Sequence, residues 1–494
     1  MPRPLKIAFI ASEVDPIVST GELGRAVGGL ARALKGLGVD ARVVIPRYPD
    51  TNGSSYGQVR LVPEMTIRSV NRFGETAIYR HELSGEVPVY LIDKPKYFDR
   101  DYLYGPPESS YQDNAERFSF FDLAALEMFT QIGFFPDIVH CHDWHTGLIP
   151  AYLKTLFQGN PLYAMMKTLF AVHNLRHQGC FPKETLSVTG LPDSIFCPEG
   201  LEFYGKLCFL KSGLVYADAL IAASKRYSQE IQTTTYGRGL EGMFQKRSKA
   251  LYGVIDGVEY KQFDPRIDPY IAANYTKDEL ERKELCRQDL LKACSLDSLP
   301  DVPLLGMVAP LYEEKGFDLL AQAFDELIGL PVRFIFLNDR KYQNAHYARL
   351  MEDLMARHRR FARCYTGADE ELKHKLMAGA DLLLMPFQSE PCGVNQMFAL
   401  KYGTIPLVHA TGGLDDTVSE FSPESRKGTG FKFRDYTPGA FVEKIREALV
   451  LRRNRSLWEL LQVNAMRVDY SWVYSAKKYL DIYKIVMGQG KSGA

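Results

Sequence analysis

No sign of charge dominates this 494-residue chain: Lys plus Arg number 60 and Asp plus Glu number 60. A nucleic-acid binder usually carries a basic excess on at least one domain, and a disordered chain carries high net charge with few apolar residues. Neither pattern is present, so no nucleic-acid partner is expected. No apolar run reaches the ~18 residues needed to cross a bilayer, and no membrane partner is expected either. The first residues do not read as a signal peptide, because their short apolar stretch is broken at once by Glu13 and Asp15. The eight cysteines (Cys141, Cys180, Cys197, Cys208, Cys286, Cys294, Cys364 and Cys392) form no CxxC pair. Their scatter speaks against a zinc site and for reduced thiols in a cytoplasmic protein; no metal is expected. Internal repeats, low-complexity tracts and heptads are also missing.

What is there is core material. Hydrophobic residues make up 46% of the chain and aromatics 12%. The length exceeds what one hydrophobic core normally supports, so at least two domains are expected. Short apolar, β-branched runs alternate with longer helical patterns. Strands are expected at 6–11, 41–46, 88–92, 137–142, 168–173, 219–223 and 251–255, and in a second series at 303–308, 332–337, 381–386 and 405–408. Runs this apolar on both faces suit parallel strands covered by helices, and the alternation implies right-handed βαβ units. The expected fold class is α/β, with two Rossmann-like doubly wound domains, the first over 1–264 and the second over 265–470. Pro265 and Pro269 punctuate the exit from the first. Ligands of such sheets bind beyond the carboxyl ends of the strands, so functional residues should follow strands and come from both halves.

Five segments carry the chemistry. After the first strand, Ser19-Thr20-Gly21-Glu22-Leu23-Gly24 opens a helix, and free N–H groups at a helix start suit a diphosphate. The alternative is an ordinary glycine-rich βα loop. In His140-Cys141-His142-Asp143-Trp144-His145, the two histidines His142 and His145 resemble metal ligands. No further ligand pair accompanies them, so sugar binding by Asp143 and Trp144 reads better, with a structural cluster as the alternative. His173 and Asn174 end another strand, where open sheets put reacting groups. Lys315 follows the strand at 303–308 and can neutralise phosphate, or merely open a solvated helix. Ser389-Glu390-Pro391-Cys392-Gly393-Val394, followed by Asn395 and backed by Thr411-Gly412-Gly413-Leu414, can offer one carboxylate and a row of N–H groups to a ligand. The alternative is a capping carboxylate.

Together with Ala11-Ser12-Glu13-Val14, Leu201-Glu202-Phe203-Tyr204-Gly205-Lys206, Asp256-Gly257-Val258, Tyr402-Gly403-Thr404-Ile405-Pro406, Gly428-Thr429-Gly430-Phe431 and Tyr470-Ser471-Trp472, these segments resemble bacterial glycogen synthase and plant starch synthase over nearly the whole chain. The resemblance implies two domains facing a deep cleft, the glycosyltransferase-B arrangement, with a final segment, 471–494, whose helix returns to the first domain. It implies glucose transfer from a nucleotide sugar, ADP-glucose above all, to the non-reducing end of an α-1,4-glucan with retention, and no other cofactor. By the same resemblance His173, Lys315 and Glu390 form the catalytic set. Thr20, Gly21, Asp143, Asn174, Cys392, Gly393, Val394, Asn395 and Thr411 would contact substrate. His173 would steady oxocarbenium charge, Asp143 would hold sugar hydroxyls, Lys315 the departing diphosphate and Glu390 the glucosyl hydroxyls.

The departures from the family pattern gather at the donor side. The family's Lys-Thr-Gly-Gly-Leu loop is Ser19-Thr20-Gly21-Glu22-Leu23, which removes a cation and adds a carboxylate. Pro310 stands where an arginine is expected, Asp256 replaces the asparagine of an Asn-Gly-Val turn, and a Gly-Ser-Gly is Leu337-Asn338-Asp339. The tyrosine that stacks on the base aligns with Ala368. Arg25, Arg340 and Lys341 are the cations that could compensate. Three readings remain open: an active α-glucan synthase, a non-catalytic glucan-binding paralogue, or a transferase using another donor. The residues set neither oligomeric state nor acceptor length.

Overall fold

The computed structural model describes residues 3–49, 58–70, 72–106, 109–299, 301–338, 344–367 and 369–488. It divides into two compact units, Met1–Gly257 with Trp472–Ala494, and Val258–Ser471. The sequence boundaries expected were 264/265 and 470/471; the contact boundary falls after Gly257 and after Ser471. Backbone pairing accounts for the shift. Val258 bridges Ser471 and its N–H donates to the Tyr470 carbonyl at 2.8 Å, which ties both to the second unit.

The first unit carries β1 (Lys6–Ile10), β2 (Asp40–Pro46), β3 (Val59–Thr66), β4 (Glu75–Leu83), β5 (Val87–Asp93), β6 (Ile138–His142), β7 (Lys167–Val172), β8 (Cys180–Pro182), β9 (Glu202–Phe203), β10 (Lys206–Cys208), β11 (Ala219–Ala222) and β12 (Leu251–Gly253). Nine of them form one sheet in the order β12-β11-β7-β6-β1-β2-β5-β4-β3, and β8-β10-β9 form a small antiparallel sheet. The large sheet is parallel from β12 to β5, then ends in an antiparallel meander. Its order turns back between β1 and β6, the place where open sheets leave a crevice for ligands. The second unit carries β13 (Leu304–Val308), β14 (Arg333–Leu337), β15 (Ala362–Tyr365), β16 (Leu382–Met385), β17 (Ile405–His409) and β18 (Phe431–Phe433). They run parallel in the order β15-β14-β13-β16-β17-β18, so its crevice lies between β13 and β16.

Strands buried on both faces match the expected runs; β1, β6, β13 and β16 contain almost no exposed residue. The unforeseen strands are those without that signal. β3, β15 and β18 are sheet edges, and β3 is mostly exposed and holds Pro63, which an edge tolerates because its N–H side faces no partner.

The helix Glu22–Gly36 contains three glycines on its buried face, although each costs about 1 kcal/mol in a helix interior relative to alanine. Close approach explains two of them. A Cβ on Gly28 would lie 2.4 Å from the Asp15 carbonyl oxygen, and one on Gly29 would lie 2.0 Å from Nε1 of Trp472. The same indole covers Gly257, where a Cβ would meet the Trp472 Cα at 2.4 Å. Trp472 opens the helix Trp472–Val486, which packs on Glu22–Gly36 and buries Ser475, Ala476, Tyr479, Ile482 and Tyr483. The returning helix thus begins one residue into the 471–494 segment that the resemblance implied. Gly29→Ala forces the indole out of its seat. Thermal denaturation should show a lowered midpoint, corresponding to a loss of about 1–3 kcal/mol.

Candidate functional site

In the first unit the site residues leave the carboxyl ends of parallel strands of one sheet. Glu13 follows β1, Asp143 follows β6, His173 follows β7 and Asp256 follows β12. Asp143 adopts φ +56°, an uncommon value for a residue with a Cβ. That turn aims its carboxylate back across the sheet, where Oδ1 accepts the His173 N–H at 2.8 Å. Its own N–H donates to the Ala171 carbonyl at 2.9 Å. Burial pushes the Asp143 carboxyl up, while the charge of His173 and amide bonds from His173 and Asn174 hold it back.

His173 Nε2 lies 3.0 Å from His142 Nδ1, and its Nδ1 lies 3.9 Å from Asp256 Oδ2. Burial holds His142 neutral, well below the usual imidazole range. His140, next on the same face of β6, is pushed down to about 3 by burial and meets the hydroxyl of Tyr483 at 2.9 Å. His145 sits apart, among Tyr104, Phe118 and Trp144. Among the described residues, no three His, Cys, Asp or Glu side chains converge as a metal-ligand set. Asn174 is exposed, and its Oδ1 accepts the Arg176 N–H at 2.9 Å.

The glycine-bearing loop has its own anchor. Glu13, buried, accepts the Thr20 N–H, the Thr20 hydroxyl at 2.8 Å and the Tyr104 hydroxyl. Gly21 is the N-cap of Glu22–Gly36 and supplies no side-chain cap. Glu22 in the first turn and Asp143 both act, after burial, to raise Asp256, which reaches about 6. The Glu13–Thr20–Tyr104 contact and the Asp256–His173 approach are absent from the sequence reading. Glu13 and Asp256 stood in motifs already noted, whereas Tyr104 gave no signal.

In the second unit Lys315 and Glu390 meet. Lys315 Nζ donates to Glu390 Oε2 at 2.6 Å, with only 13% and 5% of the two side chains exposed, and it stands 4.9 Å from the centre of the Phe387 ring. Lys315 is carried by the turn after β13 and Glu390 by the loop after β16, on either side of that sheet's crevice. Gly316 ends the lysine turn at φ +73°, and a Cβ there would lie 1.9 Å from the Pro386 carbonyl oxygen, so only glycine lets the two loops touch. The Gly413 N–H donates to the Glu390 carbonyl at 3.0 Å, and a Cβ on Gly413 would lie 1.9 Å from the Cys392 carbonyl oxygen. Cys392 thus lies against the turn that begins at Thr411, and Gly393 and Val394 lead from it into the helix Asn395–Lys401. Asn395 is buried and donates from Nδ2 to the Val308 carbonyl at 3.2 Å. Gln396, unforeseen, clamps the Cys392 and Gly393 carbonyls from one amide nitrogen, both at 3.1 Å. Pro310 holds the Tyr312 N–H at 2.9 Å through its carbonyl. Asp339, Arg340, Lys341 and Ala368 lie outside the described residues. Of the proposed compensating cations, Arg25 alone is described, half-buried on Glu22–Gly36.

Two family profiles match the chain: the starch synthase catalytic domain over residues 6–246, and the glycosyl transferases group 1 over residues 295–459. A glycogen synthase from Desulforudis audaxviator is 39% identical, covering 98% of this chain and 97% of its own. The chain belongs to the glycogen synthase and starch synthase family. A second glycogen synthase, from Moorella thermoacetica, is 40% identical over 98% of this chain and 97% of its own. The catalytic domain of starch synthase IV from Arabidopsis thaliana, bound to ADP and acarbose, superposes with a TM-score of 0.87 at 28% identity, covering 98% of this chain and all of that one. A sucrose-phosphate synthase from Thermosynechococcus elongatus, at TM-score 0.60 and 16% identity, shares the fold alone. This family member is a glycosyltransferase of the glycogensynthase type, with the glycosyltransferase-B fold. Glucosyl transfer of this kind uses a nucleotide-sugar donor and a glucan acceptor. No helix among the described residues is long and apolar enough to cross a membrane.

Asp256 gives a pH-dependent test. Its folded value of about 6 stands above the ordinary 3.8, so the folded state prefers the neutral carboxyl. The folded protein then binds more protons than the unfolded chain between these values, and stability falls as pH rises through them. Asp256→Asn keeps the neutral shape. It should raise stability above pH ~6 by up to about 3 kcal/mol, with the gain fading as pH drops toward the ordinary aspartate range. Urea unfolding across this pH span measures it.

Proposed function

We propose that this synthase-type enzyme takes ADP-glucose as donor and extends the non-reducing end of an α-1,4-glucan with retention of configuration. The observation that carries the reading is the buried Lys315–Glu390 pair on the rim of its sheet's crevice. A cation there can take charge from a departing diphosphate, and a carboxylate accepts hydroxyl protons from a sugar. The ADP and acarbose bound by the starch synthase IV relative support the adenine nucleotide and the glucan. In this reading His173 steadies positive charge at the transferred glucose, Asp143 holds the strand ends around it, and Asn174 meets substrate. Thr20 and Gly21 offer loop contacts to the diphosphate. Cys392, Gly393, Val394, Asn395 and Thr411 shape the pocket for sugar and phosphate. No cofactor joins the nucleotide sugar, and no carboxylate of the chain forms a glycosyl adduct; the leaving phosphate guides the acceptor hydroxyl on the same face. The compartment is the cytoplasm.

A second reading, a glucan-binding paralogue without turnover, is favoured by Ser19, Glu22 and Pro310, which stand where the family pattern has two cations and a glycine. Purified protein incubated with glycogen and labelled ADP-, UDP- or GDP-glucose decides between them. Incorporation should be fastest from ADP-glucose. Retained glycogen binding with no incorporation from any donor establishes the second reading instead.

Lys315→Ala and Glu390→Ala should each lower kcat by about 10²-fold or more while circular dichroism stays unchanged. Wild-type rates in both would remove these residues from the reaction. The triple variant Ser19→Lys, Glu22→Gly, Pro310→Arg restores two donor-side cations and removes a carboxylate. Its kcat/KM for ADP-glucose should rise at least about tenfold, the scale set by one charged phosphate contact.

A further inference from the structure

Beyond the transfer site, the small antiparallel sheet sets two thiols opposite each other. β8 and β10 pair as Lys206 with Pro182, Leu207 with Phe181, and Cys208 with Cys180. The Phe209 N–H donates to the Gly179 carbonyl at 2.9 Å. Positions 209 and 179 are therefore the hydrogen-bonded neighbours, which makes Cys180 and Cys208 a non-hydrogen-bonded pair. Side chains at such a pair share one face, and their Cα atoms lie about 4.5 Å apart, at the short end of the 4.4–6.8 Å range that a disulfide spans. Both cysteines are free thiols in the structure.

We propose that Cys180 and Cys208 form a redox-active dithiol, oxidised to an intrachain cystine by low-molecular-weight disulfides. The two members differ as an attacking and a resolving thiol should. Cys180 is half-buried and Cys208 is fully buried. The Cys208 thiol and the nearby Lys206 favour the Cys180 thiolate, so its pKa falls below the ordinary thiol range against the opposing effect of burial. Cys208 is held protonated by its bond to Cys180 and by burial. Its Sγ also lies 3.4 Å from the Gln178 carbonyl oxygen. By contrast, burial pushes Cys364 up to about 12, far from a ready thiolate.

The chemistry balances as thiol–disulfide exchange. The Cys180 thiolate attacks one sulfur of the oxidant RS–SR. That S–S bond breaks, RS⁻ leaves and takes a proton, and a mixed disulfide remains on Cys180. Cys208 loses its proton and attacks Cys180 Sγ, expelling the second RS⁻. The protein gives up two electrons and two protons, and the oxidant becomes two thiols. Excess thiol of the same class runs the exchange backwards and regenerates both cysteines. The bond would pin the strand that continues from His173 and Asn174 to the one entering the helix Phe209–Tyr216.

The full chain is incubated with excess oxidised glutathione, alkylated before unfolding, digested and analysed by mass spectrometry. The expected product is one Cys180–Cys208 linked peptide, with two of the eight thiols lost and both regained in dithiothreitol. Cys208→Ala, which keeps the buried position apolar, should accumulate one glutathione adduct on Cys180, and Cys180→Ser should form no link. A stable adduct on Cys180 in the unaltered chain, a link between other cysteines, or two thiols that stay alkylatable would overturn the proposal.

Discussion

A single amide donated to a carboxylate holds the first unit's site in register. Asp143 Oδ1 takes the His173 N–H at the ends of two adjacent parallel strands, where neither group has a ladder partner left. To do so Asp143 occupies a left-handed backbone conformation, and the buried carboxylate is kept usable by amides and an imidazole. With those two strand ends tied, the His173 ring lies between His142 and Asp256. The electrostatics follow from the same tie: neutral imidazoles pack behind His173, while Asp143, Asp256 and Glu22 face one another through low-dielectric protein. Negative charge is thereby concentrated in the first unit's loops.

The second unit answers with a different balance. Lys315, the cation retained from the family pattern, is mostly shielded from solvent and already neutralised by Glu390. A diphosphate that uses Lys315 must compete with that carboxylate, or a sugar hydroxyl must take the carboxylate over. In the proposed reading the ion pair is a resting arrangement that a neutral sugar and an anionic leaving group, arriving together, split between them. Neither ligand alone matches both halves of the pair.

How much of this was legible in the sequence depends on what kind of signal each part leaves. Strands buried on both faces, such as 303–308 and 405–408, announce themselves by unbroken apolar runs. Edge strands such as β3, with Pro63 and alternating charges, lack that run and were missed. Lys315, Glu390, Asp143 and His173 drew notice because each follows a strand, where open sheets put ligand contacts, and their roles came from the family resemblance. The pairing of Lys315 with Glu390 was not legible, since it joins loops after strands that are neighbours in the sheet yet far apart in the chain. Tyr104 closing on Glu13 was invisible for the same reason. The glycines of Glu22–Gly36 were legible as glycines, but their cause was only partly so: Gly29 makes room for an indole more than four hundred residues away.

That indole has a consequence for how the chain is made. Synthesis runs from the N-terminus, and nascent domains generally fold in that order. Here Trp472, Tyr479 and Tyr483 emerge only after the whole second unit has been translated, so the flank of Glu22–Gly36 and the back of His140 stay uncovered until then. The unit that starts first finishes last. Emergence of the helix Trp472–Val486 thus becomes a folding event for the first unit, and a nascent chain stalled before it exposes an apolar face to the chaperones that scan for one.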